Sequence, residues 1–441
     1  ELYDPATETS MPAGPTQFQH FRNASATALD GPACRVDASA DYCGDVLVVG
    51  NMRGCPELLA LAPPQCPPHD HGSEIYDIQS GRWVATGLTK LHRSFARPVA
   101  LDGPACRRGP APAYCGNVLI AGGATGTDQM RTAEIFDPKA TDPDTGRRGA
   151  YRAISQLTYL IHSEKAGVQL ATHPSCSTPQ PPGFCDKVLL AAELFDPATE
   201  TFERTDSFPS AYVRNDGLLV EFTVLDGASC RVPAPPEYCG KVLMTGLRDP
   251  YLYDPVGATW SRTGPRLFPV PPEEVRDPSS FQLHNIWYDN ATLINGPPCS
   301  GTAPPENCGR VVVGVTTRTG HPAPSEIYDP SRDVWLAGAP MSESRLGTSA
   351  TRLDGAPCRQ ANAPNYCGAV LVAGGATLPS GSCCHTSTEM FRPWLPAPPG
   401  LPEIIVPDVI VPEIKVPDVK IPDLSTDPPP PGPQPLAPEQ P

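Results

Sequence analysis

No run of about eighteen consecutive apolar residues occurs anywhere in the 441-residue chain, so no membrane-spanning helix is expected. Positive charge is scarce as well: 33 Lys and Arg face 48 Asp and Glu, a formal net charge of −15. Phosphate binding needs a basic patch and none is visible, which argues against nucleic acid as a partner. Only 7 of those 33 residues are lysine, and with abundant Ala, Pro and Gly this arginine bias points to a GC-rich, bacterial genome. Gly-x-Ser-x-Gly, His-Glu-x-x-His and phosphate-loop motifs are missing. No positively charged, apolar leader precedes Glu1, and an export signal is expected to have been removed. Long helices are excluded by 59 prolines and 38 glycines, which leave strands and turns.

What the chain has in quantity is cysteine. The 16 residues are an even number, and twelve of them recur as pairs with eight residues between. The pairs are Cys34 and Cys43, Cys106 and Cys115, Cys176 and Cys185, Cys230 and Cys239, Cys299 and Cys308, and Cys358 and Cys367. Zinc would need four clustered ligands, whereas these pairs lie far apart in sequence without a nearby histidine pattern. Six disulfides are therefore expected, each removing about 2–3 kcal/mol of unfolded-state freedom. They place the protein in an oxidising, extracellular setting. Cys55, Cys66, Cys383 and Cys384 lie outside the pattern. A Cys55–Cys66 loop with a bond between the adjacent Cys383 and Cys384 is favoured by locality, and cross-blade pairing is the alternative. A soft metal at Cys383, Cys384 and His385 is the weaker reading, and no metal or cofactor is assigned.

The cysteine pairs belong to a longer phrase. A strand ending in Leu29-Asp30-Gly31, Leu101-Asp102-Gly103, Leu225-Asp226-Gly227, Ile294-Asn295-Gly296 or Leu353-Asp354-Gly355 precedes each pair, and the third copy has drifted to Ala171-Thr172-His173. An apolar strand such as Val46–Gly50 or Val370–Gly375 follows. Then come Glu74-Ile75-Tyr76-Asp77 and its five relatives, the last reduced to Glu389-Met390-Phe391, and a fourth segment with Trp83, Trp260 or Trp335. Four short strands at a period of this kind describe propeller blades, each sheet buried by its neighbours.

The double glycines, the Glu-Ile-Tyr-Asp-Pro strand and the downstream Trp resemble the Kelch repeat, over roughly residues 1 to 394. The resemblance implies an all-β, six-bladed propeller of the type seen in the central domain of galactose oxidase, with seven blades as the alternative. Nothing here reproduces the copper site of that enzyme. In the last blade prolines follow Phe391, so a fourth strand is expected from residues 7–11, although Glu1-Leu2-Tyr3-Asp4 competes with the last blade for the third-strand place.

A histidine or arginine stands just before each first strand: His20 and Arg22, His92 and Arg93, His162, Arg214, His284, and Arg345. Around one channel mouth these could hold an anionic group such as an acidic sugar, though a structural tie between blades is the stronger reading. Residues 395–441 form a separate proline-rich tail. Its pentads place acids after prolines and leave Val406, Val409, Val411, Ile414, Val416, Val419 and Ile421 with nothing opposite to pack on. The expectation is a non-catalytic extracellular protein that binds other copies of itself or a surface protein through this tail. A carbohydrate-binding or carbohydrate-active propeller is the alternative.

Overall fold

The structure is a computed structural model that describes residues 1–18, 24–31, 34, 42–50, 72–91, 93, 96–125, 128–158, 167–206, 208–209, 220–246, 249–267, 286–300, 306–317, 324–343, 345, 348–354, 356–360, 362–375 and 387–392. Its contacts divide the chain into Glu1–Pro396 and Ala397–Pro441. Among the described residues no helix is long and apolar enough to cross a membrane.

The first unit is a six-bladed β-propeller of antiparallel meanders. Blade one is Ser25–Ala28, Val46–Val49, Glu74–Asp77 and Arg82–Ala85. Blade two is Arg97–Ala100, Val118–Ala121, Ala133–Thr141 and Arg148–Ala153. Blade three is Gly167–Gln169, Val188–Leu190, Glu193–Asp196 and Thr201–Arg204. Blade four is Val220–Val224, Val242–Gly246, Tyr251–Asp254 and Thr259–Arg262. Blade five is Ile286–Leu293, Val311–Thr317, Pro324–Asp329 and Val334–Pro340. Among the described residues blade six has three strands, Ser349–Arg352, Val370–Ala373 and Thr388–Phe391.

The residue pattern within a blade follows its position in the stack. Second strands such as Val118–Ala121 and Val188–Leu190 are buried throughout and read as unbroken apolar runs, because a blade covers each face. Fourth strands such as Arg82–Ala85 lie at the rim and half-bury only alternate positions. The core is accordingly a series of layers between blades. Leu29, Leu47, Val49 and Ile75 of blade one meet Val118, Ile120, Phe136 and Tyr151 of blade two, each such side chain contributing about 1.5–3 kcal/mol on burial. Third and fourth strands are joined by a turn in which the third strand's terminal Asp accepts a backbone N–H two residues on, as Asp77 does from Gln79 at 2.9 Å. Directly across each such hairpin sits an aromatic pair, for example Tyr76 and Trp83 with ring centroids 5.1 Å apart.

All six regular cysteine pairs are bonded within their own blade, as the spacing predicts. Cys34 is joined to Cys43 in blade one, Cys106 to Cys115 in blade two and Cys176 to Cys185 in blade three. Cys230 is joined to Cys239 in blade four, Cys299 to Cys308 in blade five and Cys358 to Cys367 in blade six. Their Cα separations of 5.2–5.6 Å are those of ordinary disulfides. Cys115, Cys185, Cys239 and Cys367 are buried, and each of these four donates its backbone N–H to the carbonyl of a proline three residues earlier, at 3.0–3.1 Å.

The hairpins that these bonds close nest against one another. A Cβ added at Gly31, Gly227 or Gly296 would stand 2.7, 2.9 or 2.6 Å from the Cα of Gly116, Gly309 or Gly368. Those three glycines directly follow Cys115, Cys308 and Cys367, the second cysteine of the next blade in each case. Blade three lacks both glycines and replaces them with polar contacts. Asp186, which follows Cys185 at φ 83°, accepts the Ala105 N–H of blade two at 2.9 Å, and burial pushes its carboxyl above the usual range. His173 caps the 3₁₀ turn by accepting the Ser175 N–H at 3.1 Å. It rests edge-on against Phe184, and burial lowers the basicity of its ring.

Residues 7–11 do not complete the last blade. Thr9–Met11 pairs instead with Leu2–Asp4 in a two-stranded sheet of its own. Asp4 accepts the Ala6 N–H at 2.9 Å, the turn used in the complete blades, so the strand that follows closes on its sequence neighbour first. This hairpin lies at the seam: Glu8 at its tip is ion-paired with Arg392 after blade six, and Gln17 donates its N–H to Glu74 of blade one at 2.8 Å.

Gly227 has a φ of −56°, so a side chain there strains no backbone, and its one tight contact is with the neighbouring hairpin. Gly227→Val should cost about 1–3 kcal/mol through overpacking. Gly183→Ala, in the blade-three hairpin with nothing within 4 Å of the added methyl, should stay within about 0.5 kcal/mol of the native chain in urea denaturation.

Candidate functional site

In an antiparallel meander the cysteine hairpins and the turns between third and fourth strands fall at one end of the blades. The loops between second and third strands and the blade-to-blade connections fall at the other. Arg93 and Arg345 lie at this second end. The other recurring cations, His20, Arg22, His92, His162, Arg214 and His284, lie outside the described residues. Cys55, Cys66, Cys383, Cys384, His385 and the tail residues Val406, Val409, Val411, Ile414, Val416, Val419 and Ile421 also lie outside.

Arg93 is 3 % exposed. Its Nε and Nη2 donate to Glu134 Oε1 at 3.1 and 2.7 Å, and its Nη1 donates to the carbonyls of Gly122 and Thr132, both at 2.9 Å. Those carbonyls bracket the loop between the second and third strands of blade two. Arg345 repeats the arrangement in blade six. Its Nε donates to Glu389 Oε1 at 2.9 Å and its Nη1 to the carbonyls of Gly374 and Ser387 at 3.1 and 2.8 Å. Its Nη2 donates to Glu343 and to Ser387 Oγ. A planar guanidinium suits this because its fork reaches a carboxylate and two carbonyls at once.

The glutamates are the more regular half of the device. Glu74, Glu134, Glu193, Glu326 and Glu389 stand near the start of their third strands, the first four fully buried. Each accepts a backbone N–H from the segment entering its blade: Gln17, Lys90, Thr158, Leu267 and Ser342, at 2.6–2.9 Å. A buried carboxylate needs such donors to remain charged. In blade five Arg266 approaches Glu326 from another direction, 3.8 Å away, with its guanidinium 4.8 Å from the Trp335 ring centroid. Blade four has Tyr251 at this place.

From sequence these glutamates read only as strand markers, and Arg266 does not stand out at all. The available signal was a charged residue recurring at the head of a strand that is otherwise apolar. The ties between fourth strands were equally hidden: Trp260 Nε1 donates to Thr205 Oγ1 of blade three at 3.2 Å, and Trp335 Nε1 to Thr263 Oγ1 of blade four at 3.1 Å. Among the described residues no group of three His, Cys, Asp or Glu is placed to hold a metal ion.

The described portion of this end thus holds clips that fix a connection onto the blade it enters: carboxylate to guanidinium to main chain in blades two and six, and a carboxylate accepting a main-chain N–H in blades one, three and five. Fold and clips together define a disulfide-stapled six-bladed β-propeller. No model of a known protein family matches the chain, and no curated protein matches it significantly.

Arg93→Met should destabilise the protein by about 3–5 kcal/mol at neutral pH, because it strands Glu134 in the interior. Adding Glu134→Gln should recover part of that loss in urea titrations. Glu389 supplies a pH test. Burial pushes its carboxyl up, but the Ser342 N–H and the Arg345 guanidinium outweigh burial and hold it below the usual range. Its contribution is therefore complete above the unfolded value of about 4.3 and is lost as pH falls through the depressed folded value. Glu389→Gln should lower the urea midpoint at pH 7, and the difference should shrink as pH falls below the unfolded value and through the depressed folded one.

Proposed function

We propose that this is a non-catalytic, extracellular propeller of Kelch-like type that assembles with other copies of itself or binds an extracellular partner, the propeller being the body and residues 395–441 the connector. The observation that carries this reading is the use made of Arg93 and Arg345. Both sit at repeat positions suited to gripping an anion at the mouth, and both are buried against carboxylates and carbonyls of their own blades. The six intra-blade disulfides support an oxidising setting and a protein built to persist there. The tail supports the connector role through composition. Val409, Val411, Ile414, Val416, Val419 and Ile421 would each contribute roughly 1.5 kcal/mol or more on burial, and a proline-restricted chain has less conformational freedom to lose on docking.

Removing residues 401–441 tests this. Analytical ultracentrifugation should find the full chain associated and the shortened chain a folded monomer. A monomeric full-length chain, or a shortened chain that associates equally well, would overturn the proposal, as would turnover of a glycan substrate by the native protein.

A further inference from the structure

In five blades the third strand is paired on both sides, whereas in blade six, among the described residues, Thr388–Phe391 pairs only with Val370–Ala373. The inner layer of that blade is nonetheless built: Val370, Val372 and Phe391 pack with Ile294, Val312 and Ile327 of blade five. Among the described residues only an outermost strand is lacking. The turn-forming aspartate of the other five blades is replaced here by Arg392, followed by Pro393, so the usual turn signal is missing. The Thr9–Met11 strand is occupied by Leu2–Asp4.

We propose that the outer edge of Thr388–Phe391 is a strand-acceptor site whose occupant is a pentad segment from the tail of a second copy of this chain. The inference rests on the connector role of the tail and gives it an address. Prolines at 407, 412, 417 and 422 leave three windows of four residues, Asp408–Val411, Glu413–Val416 and Asp418–Ile421. Proline has no N–H to donate, so each window can pair over its own length and no further. Four residues is also the length of the edge and of the fourth strands Arg82–Ala85, Thr201–Arg204 and Thr259–Arg262.

The side-chain pattern fits as well. In Arg82–Ala85 the second and fourth residues are half-buried and the first and third exposed. In the windows the second and fourth residues are Val409 and Val411, Ile414 and Val416, and Val419 and Ile421. The register of blade one sets Tyr76 opposite Trp83 and Asp77 opposite Arg82. Carried to blade six, it sets Phe391 opposite Val409, Ile414 or Val419, and Arg392 opposite Asp408, Glu413 or Asp418. The opposition of charges across the ladder in blade one is thus kept with its signs exchanged. Arg392 already attracts a carboxylate, that of Glu8. The spacer between edge and pentads carries Pro393, Pro396, Pro398, Pro399 and Pro402, a composition that favours an extended, stiff segment. A neighbouring copy then receives the strand by addition to its sheet.

The test uses the full chain. Arg392→Glu should weaken self-association by about tenfold or more, and the combined Asp408→Lys, Glu413→Lys and Asp418→Lys changes should restore it in that background. A photoreactive phenylalanine analogue at Lys415, in an equal mixture of ¹⁵N-labelled and unlabelled chains, should give mixed-isotope crosslinks from the tail to residues 388–392. Association unaffected by Arg392→Glu, failure of the charge exchange to rescue, or crosslinks confined to one chain or to other blades would overturn the site. If the site fails in this way while deletion of residues 401–441 still abolishes association, the connector role stands with a different receptor. If deletion has no effect, the connector role itself falls.

Discussion

At the cysteine hairpins neighbouring blades meet backbone to backbone. Where Gly31 meets Gly116, Gly227 meets Gly309 and Gly296 meets Gly368, the separation leaves no room for a Cβ. Such contact needs both strand ends held in place, and the flanking disulfides hold them. In each hairpin the residue before the Asp-Gly or its variant donates to a main-chain carbonyl across the loop, as Leu101 does to Asn117 and Leu225 to Lys241. The cysteines then fix the loop in that shape. Apolar layers farther along the strands, such as Leu225 and Leu243 against Leu293 and Val311, can pack at native density only because the hairpins set how near the blades come.

At the opposite end the same problem is solved with charge. Connections between blades must turn sharply over sheets whose edges are already filled, and their N–H groups need acceptors. A buried glutamate at the head of the third strand supplies one, and where an arginine joins it, the next loop is tied down through its carbonyls. Charges used in this way are matched inside the fold. The reading of the protein as a platform for association follows from that matching together with the composition of its tail.

Much of this was legible in the sequence. Six identical cysteine spacings, from Cys34 with Cys43 to Cys358 with Cys367, and a four-strand phrase define the blades and their disulfides, because both are local in the chain. The drift at Ala171-Thr172-His173 was visible, but not that His173 caps a turn and Asp186 substitutes a hydrogen bond for glycine contact, since that depends on the neighbouring blade. A structural tie was the stronger of two readings for Arg93, and sequence could not decide between them, because its partners Glu134, Gly122 and Thr132 lie 29 to 41 residues away. The pairing of Thr9–Met11 was misjudged in favour of ring closure over the nearer strand Leu2–Asp4, although Asp4 carries the same turn signal as Asp77. Nothing in a single blade's sequence indicates that Arg266 would reach Glu326 across the ring of Trp335.

The claim that the cysteine hairpins set the spacing of whole blades is tested most directly by hydrogen exchange before and after mild reduction. Reduction should release protection together in the hairpins and in the second strands, Val118–Ala121, Val188–Leu190 and Val242–Gly246 among them, because the layers between blades loosen as a unit. Faster exchange confined to the hairpins, with the second strands as protected as before, would contradict it.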